Sequence, residues 1–301
     1  MNTSTTQKMG QFTGYSPKFA GDPKGCLFTV MNPNEPLPPA FKLKAADAGH
    51  QVIVRIAGGC TGISPEAQDG MIPFFVNGFT GFAGVAFSGG TANRDSAGNL
   101  KADMVTNIPS VLSHYYNCIS LSTTPRTDDL YADRERAGIA IGSQALDIRQ
   151  HALAIVQVSA AQKASAWDLD VPVYFQFMQD LMEQGWGTAL IALNGGEITR
   201  DEIYGALKRG IPVIAVEGSL RETDAFIKAY RDGDWTYTCS EYRAKQLAKG
   251  LPQADIEARI TSVIADCQAV LSNLPPSLVS IVKLNDAKAL ETTLKERGLL
   301  R

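Results

Sequence analysis

The sequence predicts an α/β fold: a parallel sheet covered by helices on both faces, with a helical appendage at the C-terminal end. Three observations carry this. Short aliphatic and β-branched runs, near-continuous in hydrophobicity, alternate with segments of helical spacing, the pattern of strands buried on both faces. Several of these runs stop at glycine-rich turns. The 301 residues, 45% hydrophobic and 20% charged, suffice for one large domain with an appendage.

Residues 1–45 are rich in Gly, Pro, Ser, Thr and Asn and read as an irregular arm, with one strand at Cys26 to Met31, laid over the domain rather than built into it. The main domain spans 46–235. Its first strand, Gln51 to Ala57, feeds Gly58-Gly59-Cys60-Thr61-Gly62, and Ser64-Pro65-Glu66 then offers an N-cap, a proline at the first helical position and an early carboxylate. A second strand, Gly84 to Phe87, ends at Ser88-Gly89-Gly90-Thr91. Ala92 to Ala102 reads as a loop and Met104 to Tyr115 as a helix with Pro109 in its first turns. After Ile119 to Leu121, the Ser, Thr, Asp and Arg of residues up to 136 predict an exposed loop.

Further buried strands are expected at Gly138 to Ser143 and Ala152 to Val158, then a linker over Ser159 to Asp170 and a helix over Val173 to Gln184. Leu190 to Leu193 stops at Asn194-Gly195-Gly196 before a helix. Ile211 to Val216 stops at Gly218-Ser219 before another. The remainder, 236–301, reads as helical: Gln253 to Leu274 carries Ile256, Ile260, Val263, Cys267 and Val270 on one face, Pro275-Pro276 ends it, and Asn285 or Asp286 caps a last helix closed by Gly298. The apolar face of this tail packs on the sheet domain or on a second copy, so a homo-oligomer is expected.

Composition excludes several classes. A net charge of -3 leaves no basic footprint for nucleic acid. No apolar run reaches membrane-spanning length, and the start lacks a signal-peptide core, so no membrane partner and a cytoplasmic location are expected. Five cysteines and three histidines lack metal-ligand spacing, so no metal is expected.

Glycine turns at the carboxyl ends of strands, each before a helix N-terminus, place free N–H groups and the positive end of a helix dipole where an anion can sit. Thr199 to Glu202 and Ser219 to Glu222 fit the capping-box pattern, which makes Thr199, Glu202, Ser219 and Glu222 helix caps on a structural reading. Arg221 and Asp224 stand out, because an arginine in a first helical turn is disfavoured by the dipole unless it meets an anion. No Ser-His-Asp or Cys-His set is arguable, and Trp186 and Tyr204 read as core.

The order Val-Ile-Val-Arg-Ile-Ala-Gly-Gly, Gly-Val-Ala-Phe-Ser-Gly-Gly-Thr, Gly-Ile-Ala-Ile-Gly-Ser, Ala-Leu-Asn-Gly-Gly-Glu-Ile-Thr-Arg-Asp-Glu-Ile and Pro-Val-Ile-Ala-Val-Glu-Gly-Ser-Leu-Arg-Glu-Thr-Asp resembles the SLOG superfamily. The likeness over residues 50–230 is to the amino-terminal domain of melastatin-type TRP channels and its free-standing prokaryotic relatives. That resemblance implies a Rossmann-like fold and a sensor of a nucleotide-derived ligand, such as ADP-ribose, its cyclic kin or an NAD-related molecule, with no required cofactor. It implies a pocket lined by Gly58, Gly59, Ser88, Gly89, Gly90, Thr91, Gly142, Ser143, Asn194, Gly195, Gly196, Gly218, Ser219 and Arg221, with Thr199 and Asp224 beside them. The alternative is an N-glycosidic hydrolase. Asn194 to Glu202 resembles the Pro-Gly-Gly-x-Gly-Thr-x-x-Glu motif of LOG-type phosphoribohydrolases, with Glu202, or Glu197, as the acid-base group. It departs from that motif at Asn194 and Ile198.

Overall fold

The computed structural model describes residues 12–14, 26–59, 65–89, 91–92, 105–127, 145–146, 151–158 and 168–301. The chain begins with strands β1 (Phe12–Gly14) and β2 (Cys26–Met31), helix α1 (Pro39–Ala46) and β3 (Val52–Gly58). Helix α2 (Pro65–Gly78), β4 (Val85–Gly89), the two-residue β5 (Thr91–Ala92), α3 (Ile108–Tyr115) and β6 (Ile119–Thr127) follow. Next come β7 (Ala145–Leu146), β8 (Ala152–Val158), α4 (Val171–Glu183), β9 (Gly187–Leu193), α5 (Glu197–Lys208), β10 (Val213–Glu217) and α6 (Arg221–Asp232). Helices α7 (Thr236–Ala248) and α8 (Gln253–Ser272), strand β11 (Val279–Lys283) and helix α9 (Ala287–Glu296) complete the order.

The main sheet runs β1-β2-β8-β6-β4-β3-β9-β10-β11, and every pairing is parallel except β1 with β2. From β3 the chain winds outward through β4 to β6, then returns to the other side of β3 at β9 and continues to β10 and β11. This is the doubly wound, Rossmann-like order. Between β3 and β9 the winding reverses, and at such a reversal a crevice opens at the carboxyl ends of the strands.

Both faces of the sheet are covered, because successive side chains of each strand enter opposite cores. Ile53 and Ala57 of β3, with Leu190 and Ala192 of β9, meet Phe41, Phe177, Ile203 and Phe226 from α1, α4, α5 and α6. Val52, Val54 and Ile56 meet Phe74, Phe75, Leu112 and Leu290 from α2, α3 and α9. Arg55 interrupts this otherwise apolar strand on the α4–α5 side, and it is only 6% exposed.

Three features differ from the sequence reading. Strand β2 is not laid over the domain but paired with β8 from Leu27–Ala152 to Met31–Val156. The polar stretch Ser122 to Thr127 is not an exposed loop; it prolongs β6 between β4 and β8, with Ser122, Thr123 and Thr124 buried. The tail is helical except for β11, whose parallel pairing with β10 from Val213–Val279 to Glu217–Lys283 extends the sheet. Helix α9 packs on α2 where Gly78 makes room, since a Cβ there would stand 2.6 Å from Leu290 Cδ2. The strand expected at Gly138 to Ser143 lies outside the described residues. Among the described residues no helix is long and apolar enough to cross a membrane.

Candidate functional site

A cavity of about 360 Å³ opens at the crevice, bounded by the ends of β3, β4 and β6 and the N-termini of α5 and α6. Its volume falls in the range of small-molecule sites, roughly 300–1,000 Å³. Gly58 and Gly59 border it from β3, Gly89 from β4, and Gly196, Glu197, Thr199 and Glu202 from α5 and the turn before it. Arg221 closes one side from the start of α6, and Lys245 reaches in from α7.

The two turns on the α5–α6 side are tied together by Asn194. Its N–H donates to Ser219 Oγ at 2.8 Å, its Nδ2 donates to the Ser219 carbonyl at 2.8 Å, and its Oδ1 accepts the Gly195 N–H at 2.7 Å. The Thr223 hydroxyl donates to the Asn194 carbonyl at 2.8 Å. Gly195 has φ +87°, and a Cβ there would run into Thr199, so only glycine fits. The Asp224 carboxylate accepts the N–H groups of Gly218 and Leu220, both at 2.9 Å. Leu220 and Arg221 hold φ of +69° and +56° without being glycine, a strained pair costing roughly 1–3 kcal/mol each. Such strain persists where surrounding bonds over-determine it. Here the Asp224 and Asn194–Ser219 contacts do so.

Neither capping box forms. Helix α5 starts at Glu197 with Gly196 as its N-cap, which puts Thr199 inside the helix, and α6 takes Leu220 as N-cap with no side-chain bond. Glu202 is instead drawn into the core. Arg55 donates to its Oε1 from Nε at 3.1 Å and from Nη2 at 2.7 Å, and the Tyr174 hydroxyl donates to the same oxygen at 2.6 Å. The Arg55 guanidinium sits 4.0 Å from the centre of the Tyr174 ring. Burial works against its charge, but the Tyr174 oxygen and the carboxylates of Glu202 and Asp170 outweigh this and hold its pKa above the usual value. Glu222, likewise, is buried and accepts from Thr238 at 3.3 Å rather than from its own helix terminus.

Asp170, 4% exposed, lies on the inner wall beside this pair, and its Oδ2 accepts the Thr123 hydroxyl at 2.7 Å. Burial pushes its carboxyl up to about 6, with Arg55 and Thr123 pulling the other way. On the outer side Glu197 receives Lys245 at 2.6 Å; burial opposes its charge, but Lys245 holds its pKa below the ordinary carboxylate value. Arg221 lies beside Tyr237, and its Nη2 stands 3.3 Å from where a Cβ on Gly196 would lie. The cavity is therefore acidic and locked inside, and basic where α5 and α6 begin.

The sequence-derived set divides accordingly. Gly58, Gly59, Gly89, Gly196, Glu197, Thr199, Glu202 and Arg221 border the cavity. Asn194, Gly195, Gly218, Ser219 and Asp224 build the turns behind it, and Ser88 donates to the Thr106 carbonyl at 2.8 Å. Gly90, Gly142 and Ser143 lie outside the described residues, as does the side chain of Thr91. Arg55, Thr124, Asp170 and Lys245 border the cavity without having been singled out. Of these Arg55 left a signal, a charge inside an apolar strand. Among the described residues no cluster of His, Cys, Asp or Glu could hold a metal ion.

Residues 138–261, which include both turns and α5 to α7, match the protein family described as SLOG in TRPM, prokaryote. No curated protein matches the chain.

Proposed function

We propose that this chain, assigned through that match to the SLOG superfamily in its prokaryotic, TRPM-related form, binds a nucleotide-derived ligand such as ADP-ribose or an NAD-related molecule in the β3–β9 crevice. One observation carries the reading. The N-termini of α5 and α6 converge on a glycine-bordered cavity together with Arg221 and Lys245. Helix N-termini and paired cations are the means by which a protein of net charge -3 attracts a diphosphate locally. Lys245 belongs to α7, so occupancy would reach the C-terminal helices directly. The engagement of Glu202 with Arg55 and Tyr174 favours binding over hydrolysis by that carboxylate.

The test is a thermal-shift panel of ADP-ribose, cyclic ADP-ribose, NAD and AMP on wild type and Arg221→Ala. Ligand at a hundred times its Kd adds about 2.7 kcal/mol, a shift of a few degrees. A selective shift that shrinks in the variant is expected. Absence of a shift across the whole panel would sink the proposal.

A further inference from the structure

The charged groups that border the cavity are sorted by depth. Arg55, Asp170 and Glu202 are 6%, 4% and 3% exposed, whereas the side chains of Glu197 and Lys245 are 32% and 54% exposed. At the outer end Lys245 cancels Glu197, and Arg221 with the N-termini of α5 and α6 leaves a positive balance. At the inner end the balance is negative. Arg55 directs Nε and Nη2 to Glu202 and its Nη1 meets no acceptor, while Asp170 receives the Thr123 hydroxyl at Oδ2. The Tyr174 hydroxyl also goes to Glu202. Of the charges acting on Asp170, the positive one is Arg55 and the negative one is Glu202. Two carboxylates and one guanidinium, all buried, thus carry one surplus negative charge.

A field acts over a distance, so this surplus selects a ligand group without touching it. A unit charge about 10 Å away, at an effective dielectric near 20, changes binding by on the order of tenfold. A phosphate at the inner end would be repelled. A neutral sugar or ring would gain nothing. A free metal ion needs more ligands than the described residues bring together. An organic cation joined to phosphates meets an opposite charge at each end of the cavity.

We propose that Asp170 makes the crevice selective for a nucleoside diphosphate that carries a cationic ring, an oxidised nicotinamide dinucleotide bound with its pyridinium inward and its diphosphate at Arg221 and Lys245. The assignment rests on the nucleotide reading above and selects within it, placing NAD ahead of NADH and ADP-ribose.

The experiment is calorimetric titration of the full chain with NAD, NADH and ADP-ribose. These share the diphosphate and both riboses, and end in a cationic ring, a neutral ring and a hydroxyl. At about pH 7.5 wild type is expected to bind NAD about tenfold more tightly than either of the others. Lowering the pH should bring the three together, because burial holds the Asp170 carboxyl at about 6 and its charge is lost below that. This series needs no variant to fold. Asp170→Asn should level the three ligands at about pH 7.5 and melt no lower than wild type, since it removes a buried surplus charge. Arg221→Ala should weaken all three alike. NADH or ADP-ribose bound as tightly as NAD, a preference unchanged between about pH 8 and about pH 5.5, or a preference retained in Asp170→Asn refutes the charge selection and leaves the nucleotide reading standing. Binding of none of the three refutes both.

Discussion

Arg55 places two of its N–H groups on a single oxygen of Glu202, residues 147 apart in sequence, and the Tyr174 hydroxyl completes that oxygen's shell. Both side chains of the pair are under a tenth exposed. Removing one partner strands a buried charge and costs about 3–5 kcal/mol, whereas a half-exposed pair such as Glu197–Lys245 contributes at most about 1 kcal/mol. Urea titration should therefore show Glu202→Ala losing several times more stability than Glu197→Ala. Equal losses would mean that Glu202 is not the structural anchor described here.

Asp170 ties stability to pH. Its folded pKa of about 6 lies above the ordinary 3.8, so the folded state holds the proton more tightly than the unfolded one. The contribution is favourable below about pH 4 and is lost as pH rises through 6, an effect on the order of 3 kcal/mol. In Asp170→Asn, which cannot ionise, that part of the decline between pH 4 and 6 should vanish from a plot of melting temperature against pH. An unchanged slope would show that Asp170 ionises without difficulty in the fold.

The left-handed pair Leu220 and Arg221 predicts opposite effects on stability and binding. Leu220→Gly relieves strain at φ +69° and should raise stability by about 1 kcal/mol. The same change loosens the loop that aims Arg221, so ADP-ribose affinity should fall. A destabilised variant with undiminished affinity would contradict both halves.

Gly195 and Gly210 both hold positive φ, but a Cβ meets Thr199 at the first and open space at the second. Gly210→Ala should cost about 1–2 kcal/mol from the left-handed conformation alone. Gly195→Ala should cost clearly more, as measured by denaturant midpoint, because Thr199 cannot move without shifting α5.

Much of this architecture is legible in the sequence. Val52 to Ala57, Leu190 to Leu193 and Val213 to Val216 are buried on both faces, and apolar runs broken only by Arg55 and stopping at or just before glycine turns record that directly. Strand β11 escaped because Val279-Ser-Ile-Val-Lys is short, half-exposed and set among helices. The end of β6 escaped because Ser-Thr-Thr-Pro-Arg is loop-like in composition, and its burial follows from two neighbouring strands that composition does not reveal.

At the site, the glycines and Arg221 were legible because turns at strand ends and a cation in a first helical turn are local features of the sequence. Asp170 was not, since its place on the cavity wall depends on Thr123 and Arg55, which come near it only through the fold. Glu202 shows the reverse case. A local capping pattern was overridden because α5 begins at Glu197 and a buried cation was within reach.

The parallel pairing of β11 with β10 also bears on synthesis. Sixty-one residues separate Glu217 from Val279, so as the chain leaves the ribosome β10 presents an unpaired backbone edge long after the turns at Gly195 and Gly218 have been made. Open edges of this kind invite pairing with another nascent chain. Helices α7 and α8 are made in that interval, and the edge is sealed only when β11 emerges through Lys283.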